Sequence, residues 1–115
     1  MKEEATVGVD LAPERAAAMV DEGAVLIDVR RDYEWEAGHI ASARRIEVNE
    51  LPAVADSIPR ERPVVFVCRS GSRSALAAAA FREAGWDAHH VEGGLYAWAE
   101  ARLPIDGEIA EPRPE

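Results

Sequence analysis

Apolar positions in this chain fall into short continuous runs, separated by stretches with helical spacing. Ala24-Val25-Leu26-Ile27-Asp28-Val29 and Pro63-Val64-Val65-Phe66-Val67 are nearly unbroken apolar runs. Such runs fit strands buried on both faces, as in parallel sheets. Thr6 to Val9, the alternating Arg45-Ile46-Glu47-Val48, and Trp86 to Val91 are three further strand candidates. Between the strands the period changes. Pro13–Glu22 reads as a helix with Ala16, Ala17, Met19 and Val20 on its apolar side. Pro13 suits a first helical position, where φ is fixed and no N–H is needed, and Gly23 stops the run. Asp32 is placed to cap a short helix, Tyr33–Ala37, ended by Gly38. Asn49 is placed to cap a helix running to about Ile58, with Pro52 near its first turn. An alanine-rich, strongly helix-forming run extends from Arg73 to Ala84 and ends at Gly85. After a Glu92-Gly93-Gly94 turn, Leu95–Arg102 forms a last helix before Pro104.

Strands alternating with helices predict an α/β fold: a three-layer α/β/α arrangement around a central, mostly parallel, five-stranded sheet. In such sheets the ligand site lies at the carboxyl ends of the strands. The expected organisation is a flexible N-terminus over 1–5, one domain over 6–104, and a flexible tail over 105–115 carrying Pro112 and Pro114.

Composition narrows the function. A chain of 115 residues with 48% hydrophobic content supports one domain with one core. The formal net charge of −9 argues against nucleic acid, which is bound by clustered Lys and Arg, and against anionic membrane surfaces. No stretch approaches the roughly 18 apolar residues of a membrane span. The polar, acidic start (Met1-Lys2-Glu3-Glu4-Ala5) shows no secretory signal. The single cysteine, Cys68, leaves no internal disulfide and no internal resolving thiol. A reducing, cytoplasmic setting is therefore expected, and whatever Cys68 reacts with comes from outside the chain.

Cys68 ends the apolar run Pro63–Val67 and opens the loop Cys68-Arg69-Ser70-Gly71-Ser72-Arg73-Ser74. A helix follows at once. The unpaired N–H groups of a helix start, near Ser72–Ala75, point toward negative charge and favour a thiolate, the reactive form. Gly71 eases an unusual φ and so a nest of loop N–H groups. Arg73 and Arg69 add positive charge, and Ser70, Ser72 and Ser74 are small donors. The bland alternative is a buried core thiol beside an ordinary strand-to-helix turn. The Cys-x-x-Gly-x-Arg-Ser context favours the reactive site.

Four motifs then give the chain a family likeness. They are Leu26-Ile27-Asp28-Val29-Arg30, Glu34-Trp35-Glu36-Ala37-Gly38-His39-Ile40, the Cys68–Ser74 loop, and Glu92-Gly93-Gly94-Leu95-Tyr96-Ala97-Trp98. In this order and spacing they resemble the rhodanese homology domain, the single-domain sulfurtransferase type, over about residues 7–104. The resemblance implies that Cys68 accepts a sulfane sulfur and holds it as a persulfide. It implies that the N–H groups from Arg69 to Ser74 cradle the outer sulfur. One departure stands out. The family usually follows Gly-His-Ile with a Gly-Ala pair and an apolar residue, where this chain has Ala41-Ser42-Ala43-Arg44-Arg45.

The implied reaction is ping-pong covalent catalysis. The Cys68 thiolate attacks the outer sulfur of a small anionic donor such as thiosulfate, and sulfite leaves without a general acid. A thiol or cyanide acceptor, or a sulfur-accepting protein, then takes the sulfur. The catalytic residue is Cys68, with Arg69, Ser70, Gly71, Ser72, Arg73, Ser74 and Arg30 as substrate-binding candidates. No cofactor or metal is expected. Two rivals remain. A non-catalytic sulfur-carrier module for a partner protein uses the same thiol. A phosphatase or arsenate reductase of related type also sets a cysteine–arginine loop over a helix start. The phosphatases space the two residues one position further apart than Cys68 and Arg73, and no acid lies within Cys68–Ser74 to protonate an alkoxide.

Other residues receive structural readings. Arg30 follows a strand end; it either holds an anion, braces the loop, or forms a weak surface ion pair. Asp28 orients neighbours. His39 reads as a hydrogen-bonded structural histidine. His89 and His90, adjacent on a strand, point to opposite faces and do not easily share a metal. Trp35, Trp86 and Trp98 read as core or rim packing. Arg44, Arg45, Arg60 and Arg62 read as solvated faces.

Overall fold

In the computed structural model, which describes residues 10–111, five parallel strands form the central sheet in the order β1-β6-β5-β2-β4. They are β1 (Asp10–Leu11), β2 (Val25–Asp28), β4 (Arg44–Arg45), β5 (Val64–Val67) and β6 (Ala88–Val91). All four adjacent pairs run parallel. The expected fold class is what the chain adopts. The sheet's faces are covered by helices α1 (Pro13–Asp21) and α5 (Gly94–Glu100) on one side and α3 (Leu51–Val54) and α4 (Ser72–Glu83) on the other. Two hydrophobic clusters follow from this layering. Ile27, Val64, Phe66, Phe81 and Trp86 belong to one, and Leu26, Val65, Met19, Leu95 and Trp98 to the other. Alternate residues of β2 and β5 thus feed opposite cores, which is why both runs are apolar at every position except the β2 end.

Several boundaries differ from expectation. The candidate strand Thr6–Val9 lies outside the described residues. The candidate Arg45–Val48 is replaced by the shorter Arg44–Arg45, because Val48 already begins a 3-10 turn over Val48–Glu50. Glu47, not Asn49, starts that turn: its backbone N–H donates to the Glu50 carboxylate at 3.1 Å. The single helix expected from Asn49 to Ile58 is broken into that turn, the four-residue α3, and a second 3-10 turn over Ala55–Ser57. Strand β6 begins two residues later than expected, because Trp86 turns into the core and donates to Ile58 O at 3.2 Å. Helix α2 (Asp32–Ala37) is capped from Arg31, whose N–H donates to the Glu34 carboxylate at 3.1 Å.

Residues 105–111, the described part of the expected tail, make contacts with the domain. Asp106–Gly107 (β7) pairs antiparallel with Gly38–His39 (β3), and Ile105 and Ile109 pack against the core. Ala41–Arg45, where the chain departs from the family's usual residues, makes a tight connection. Ala43 donates to Ile40 O at 3.0 Å, Ile40 is buried, and Arg44 and Arg45 align with Ile27 and Asp28 of β2.

Candidate active site

Strand β5 delivers Cys68 to the carboxyl edge of the sheet, and the loop to α4 folds back over its sulfur. Gly71 N–H donates to Cys68 Sγ at 3.1 Å and Ser74 N–H at 3.4 Å. Ser74 sits in the first turn of α4, where N–H groups have no intrahelical partner. Gly71 holds φ at +111°, a left-handed conformation that aims its N–H at the sulfur and then starts the helix. Ala75, included in the expected donor range, is instead occupied: its N–H closes the first helical turn on Gly71 O at 3.0 Å. Cys68 itself is fully buried at the floor of the loop. Ser70 and Ser72 are exposed.

The loop is held from outside by the neighbouring strand-to-helix junction. Leu95 N–H donates to Cys68 O at 2.8 Å, and Tyr96 N–H donates to Arg69 O at 3.2 Å. Gly94 makes this approach possible. A Cβ there would lie 2.5 Å from both the Cys68 and Arg69 carbonyl oxygens. With the Cys68 and Arg69 carbonyls engaged outward, the Gly71 and Ser74 N–H groups face the sulfur.

The three arginines near the site are each engaged by groups of the protein itself. Arg30 has no exposed surface. Its guanidinium bonds both Asp28 oxygens, at 2.8 to 3.1 Å, and the backbone oxygens of Glu34 and Gly38. It is a buried brace that ties β2 to α2 rather than a surface ion pair. Arg73 donates from both terminal nitrogens to the two Glu34 oxygens, at 2.8 and 3.0 Å. Those bonds raise the arginine's affinity for its proton against the opposing effect of burial. The charges of Glu34, Cys68 and Asp28 add to the rise. Burial pushes the Glu34 carboxyl up. The Arg73 hydrogen bonds, the Arg31 N–H and the charges of Arg73 and Arg30 outweigh it and leave Glu34 below its ordinary value. Arg69 lies over Tyr96, donating to its hydroxyl at 3.0 Å.

Sequence reasoning gave no role to Glu34, Gly94, His90 or Asp10. Glu34 and Gly94 stood inside recognised motifs, and the Gly-Gly pair before a helix was a legible sign of close backbone approach. His90 accompanies Ser74: its Nδ1 lies 3.1 Å from Ser74 Oγ, and its Nε2 lies 2.7 Å from Asp10 Oδ1. His39 takes the structural place expected of it, stacked on Trp35 with Nδ1 2.7 Å from Trp35 O. His89 has partners of its own in Asp87 and Arg82.

The fold and the loop define a class: a parallel α/β domain with one cysteine whose sulfur accepts from two loop N–H groups at a helix start. The chain belongs to the rhodanese-like domain family, whose model matches residues 12–101. It is 38% identical to the putative sulfurtransferase YtwF of Bacillus subtilis, over 73% of this chain and 82% of that one. It is 32% identical to the thiosulfate sulfurtransferase GlpE of Pseudomonas paraeruginosa, over 88% and 92%. A 37% identity to the probable adenylyltransferase/sulfurtransferase MoeZ of Mycobacterium tuberculosis covers 88% of this chain, which spans only 27% of that longer protein. Among solved structures, a rhodanese-related protein of Thermoplasma volcanium superposes with a TM-score of 0.80 at 26% identity, covering 88% of this chain and all of that one. Among the described residues, no helix is long and apolar enough to cross a membrane.

Proposed function

We propose that this protein is a sulfurtransferase that carries a sulfane sulfur on Cys68. The observation that supports this most is the convergence of the Gly71 and Ser74 N–H groups on Sγ. Two backbone dipoles at a helix start stabilise negative charge on sulfur, whether thiolate or persulfide. The thiolate attacks the outer sulfur of thiosulfate or of a low-molecular-weight persulfide. A sulfur–sulfur bond forms to Cys68, the donor's own bond breaks, and sulfite or a thiolate departs with the electron pair. A thiol or cyanide then attacks the outer sulfur and restores the Cys68 thiolate. Ser70 and Ser72, on the exposed part of the loop, line the donor's approach together with Arg69 and Arg73.

The phosphatase reading loses support from Arg73. Both terminal nitrogens are bound to Glu34, so they are not set to fork a phosphate. A sulfur-carrier role keeps support from one comparison: this chain matches a quarter of a protein that also bears an adenylyltransferase name. Incubation with thiosulfate should add one sulfur atom to the intact mass, at Cys68. Subsequent cyanide should remove it with multiple turnovers. Loading without turnover on small acceptors selects the carrier role; no loading from any donor overturns both.

A further inference from the structure

Behind Cys68 runs a chain of side chains that the sulfur-transfer reading does not use. Cys68 Sγ lies 3.4 Å from Ser74 Oγ, Ser74 Oγ 3.1 Å from His90 Nδ1, and His90 Nε2 2.7 Å from Asp10 Oδ1. Cys68, Ser74 and His90 are buried, while the Asp10 side chain keeps 64% of its surface exposed. Three elements converge to build it: β1 brings Asp10, β6 brings His90, and α4 brings Ser74.

We propose that Asp10, His90 and Ser74 form a relay that accepts the Cys68 proton, with His90 as a positioning residue acting through Ser74. The hydrogen-bond directions close without conflict. Asp10 accepts from His90 Nε2–H, which leaves Nδ1 as an acceptor for the Ser74 hydroxyl. The hydroxyl oxygen then accepts from the Cys68 thiol. Gly71 O, at 3.3 Å, competes for the same Ser74 proton, but the ring nitrogen is closer. In the transfer the S–H bond breaks and its proton passes to Ser74 Oγ. The Ser74 proton moves to Nδ1, and the electron pair stays on sulfur. Thiol and neutral imidazole become thiolate and imidazolium, with nothing left over. The Gly71 and Ser74 N–H groups then hold the new charge on sulfur, and Asp10 faces the new charge on His90.

The ring takes no other hydrogen bond among the described residues. The titratable and charged groups of the assembly are Asp10 on β1, Cys68 at the end of β5, and the Arg73–Glu34 pair joining α4 to α2. His89, next along β6, bonds instead to Asp87 and Arg82. The relay gives the Cys68 proton an acceptor within the fold, so formation of the thiolate, the reactive form, needs no outside base. The proposal rests on Cys68 being the reactive group, and its test needs no sulfur donor.

The test is the rate of Cys68 alkylation by iodoacetamide between pH 5.5 and 9, followed by intact mass. At pH 6.5, His90→Asn is expected to slow alkylation on the order of tenfold, equivalent to about one pH unit. Ser74→Ala should do the same and Ser74→Thr should restore the rate. Equal rates for His90→Asn and the parent at every pH overturn the relay. Should His90→Asn not fold, nitrogen-resolved NMR of the imidazole decides. The neutral His90 ring should carry its proton on Nε2, toward Asp10, and leave Nδ1 as the acceptor for Ser74. A proton found on Nδ1 instead overturns the proposal. Altered alkylation without sulfur loading from thiosulfate or any low-molecular-weight persulfide would leave the relay standing and sink the sulfurtransferase reading.

Discussion

Two strand-to-helix junctions lie side by side at the carboxyl edge of the sheet, and they use the same parts to opposite ends. One joins β5 to α4 and the other β6 to α5; the strands are direct neighbours. Both helices start from a left-handed glycine, Gly71 and Gly93, with no side-chain cap. At the second junction the N–H groups of Leu95 and Tyr96 bind the carbonyls of Cys68 and Arg69. At the first, the N–H groups of Gly71 and Ser74 turn to a sulfur atom. A helix start always carries surplus donors. Where the protein supplies the acceptors the junction is a brace; where it supplies one thiol, the junction is a site.

The comparison is broken most completely at its one chemical difference. Cys68→Ser should abolish thiosulfate:cyanide activity and sulfur loading. The serine oxygen still accepts from Gly71 and Ser74, so the melting temperature should stay close to the parent's. Activity that survives the change, read by thiocyanate formation, would mean that the loop does not carry the reaction.

The next change strikes the brace. Gly94→Ala puts a Cβ 2.5 Å from two loop carbonyls at φ +62°, where side chains are strained. It should cost about 2–4 kcal/mol in urea unfolding and take activity down with stability. Gly71→Ala is the matched control. Its Cβ would meet Gly93 N at 3.3 Å, a milder contact, although φ is also left-handed. It should lose less stability, about 1–2 kcal/mol, while single-turnover sulfur loading falls further than stability does. The opposite ranking would reverse the roles assigned to the two junctions.

Much of this was legible in the sequence because the signals were local. The unbroken apolar runs of β2 and β5 announced strands buried on both faces, and Cys68 at the end of one of them announced the site. The helix expected from Asn49 to Ile58 was not legible as broken. Its turns depend on Glu47–Glu50 capping and on Leu51 and Ile58 reaching a core that only the assembled sheet supplies. Arg30 misled for a related reason. A charge after a strand end reads as solvated, and only the fold shows Asp28, Glu34 O and Gly38 O closing round it. His90 and Asp10 lie 80 positions apart, and nothing local links them. Their meeting is a product of β1 pairing with β6.

A smaller effect is expected at the ion pair that holds α4 to α2 beside the site. Glu34→Gln leaves Arg73 a weaker acceptor and should cost about 1–3 kcal/mol near neutrality, the lower part of that range being set by solvent at the partly exposed Arg73. The sign with pH is fixed by the direction of the shift. Glu34 lies below its ordinary 4.5 in the folded protein, so its stabilisation is present above that value. It is lost as pH falls through the folded value. The gap between parent and variant should therefore narrow in acid. A gap that widens would reverse the assignment of Glu34 as the charged partner.

The smallest change sharpens what kind of brace α5 provides. The Tyr96 hydroxyl links the two ends of an exposed contact: Arg69 donates to it at 3.0 Å, and it donates to Glu111 at 2.9 Å. Tyr96→Phe removes both bonds yet keeps the ring beneath the Arg69 guanidinium, 5.4 Å from its centroid. The backbone bonds of Leu95 and Tyr96 to the loop are untouched. If the loop is held by backbone, this variant should stay within about 0.5 kcal/mol of the parent in urea unfolding, with sulfur loading nearly unchanged. A loss comparable to that of Gly94→Ala would show that side chains at the tail, rather than the N–H groups at the start of α5, fix the cradle round Cys68.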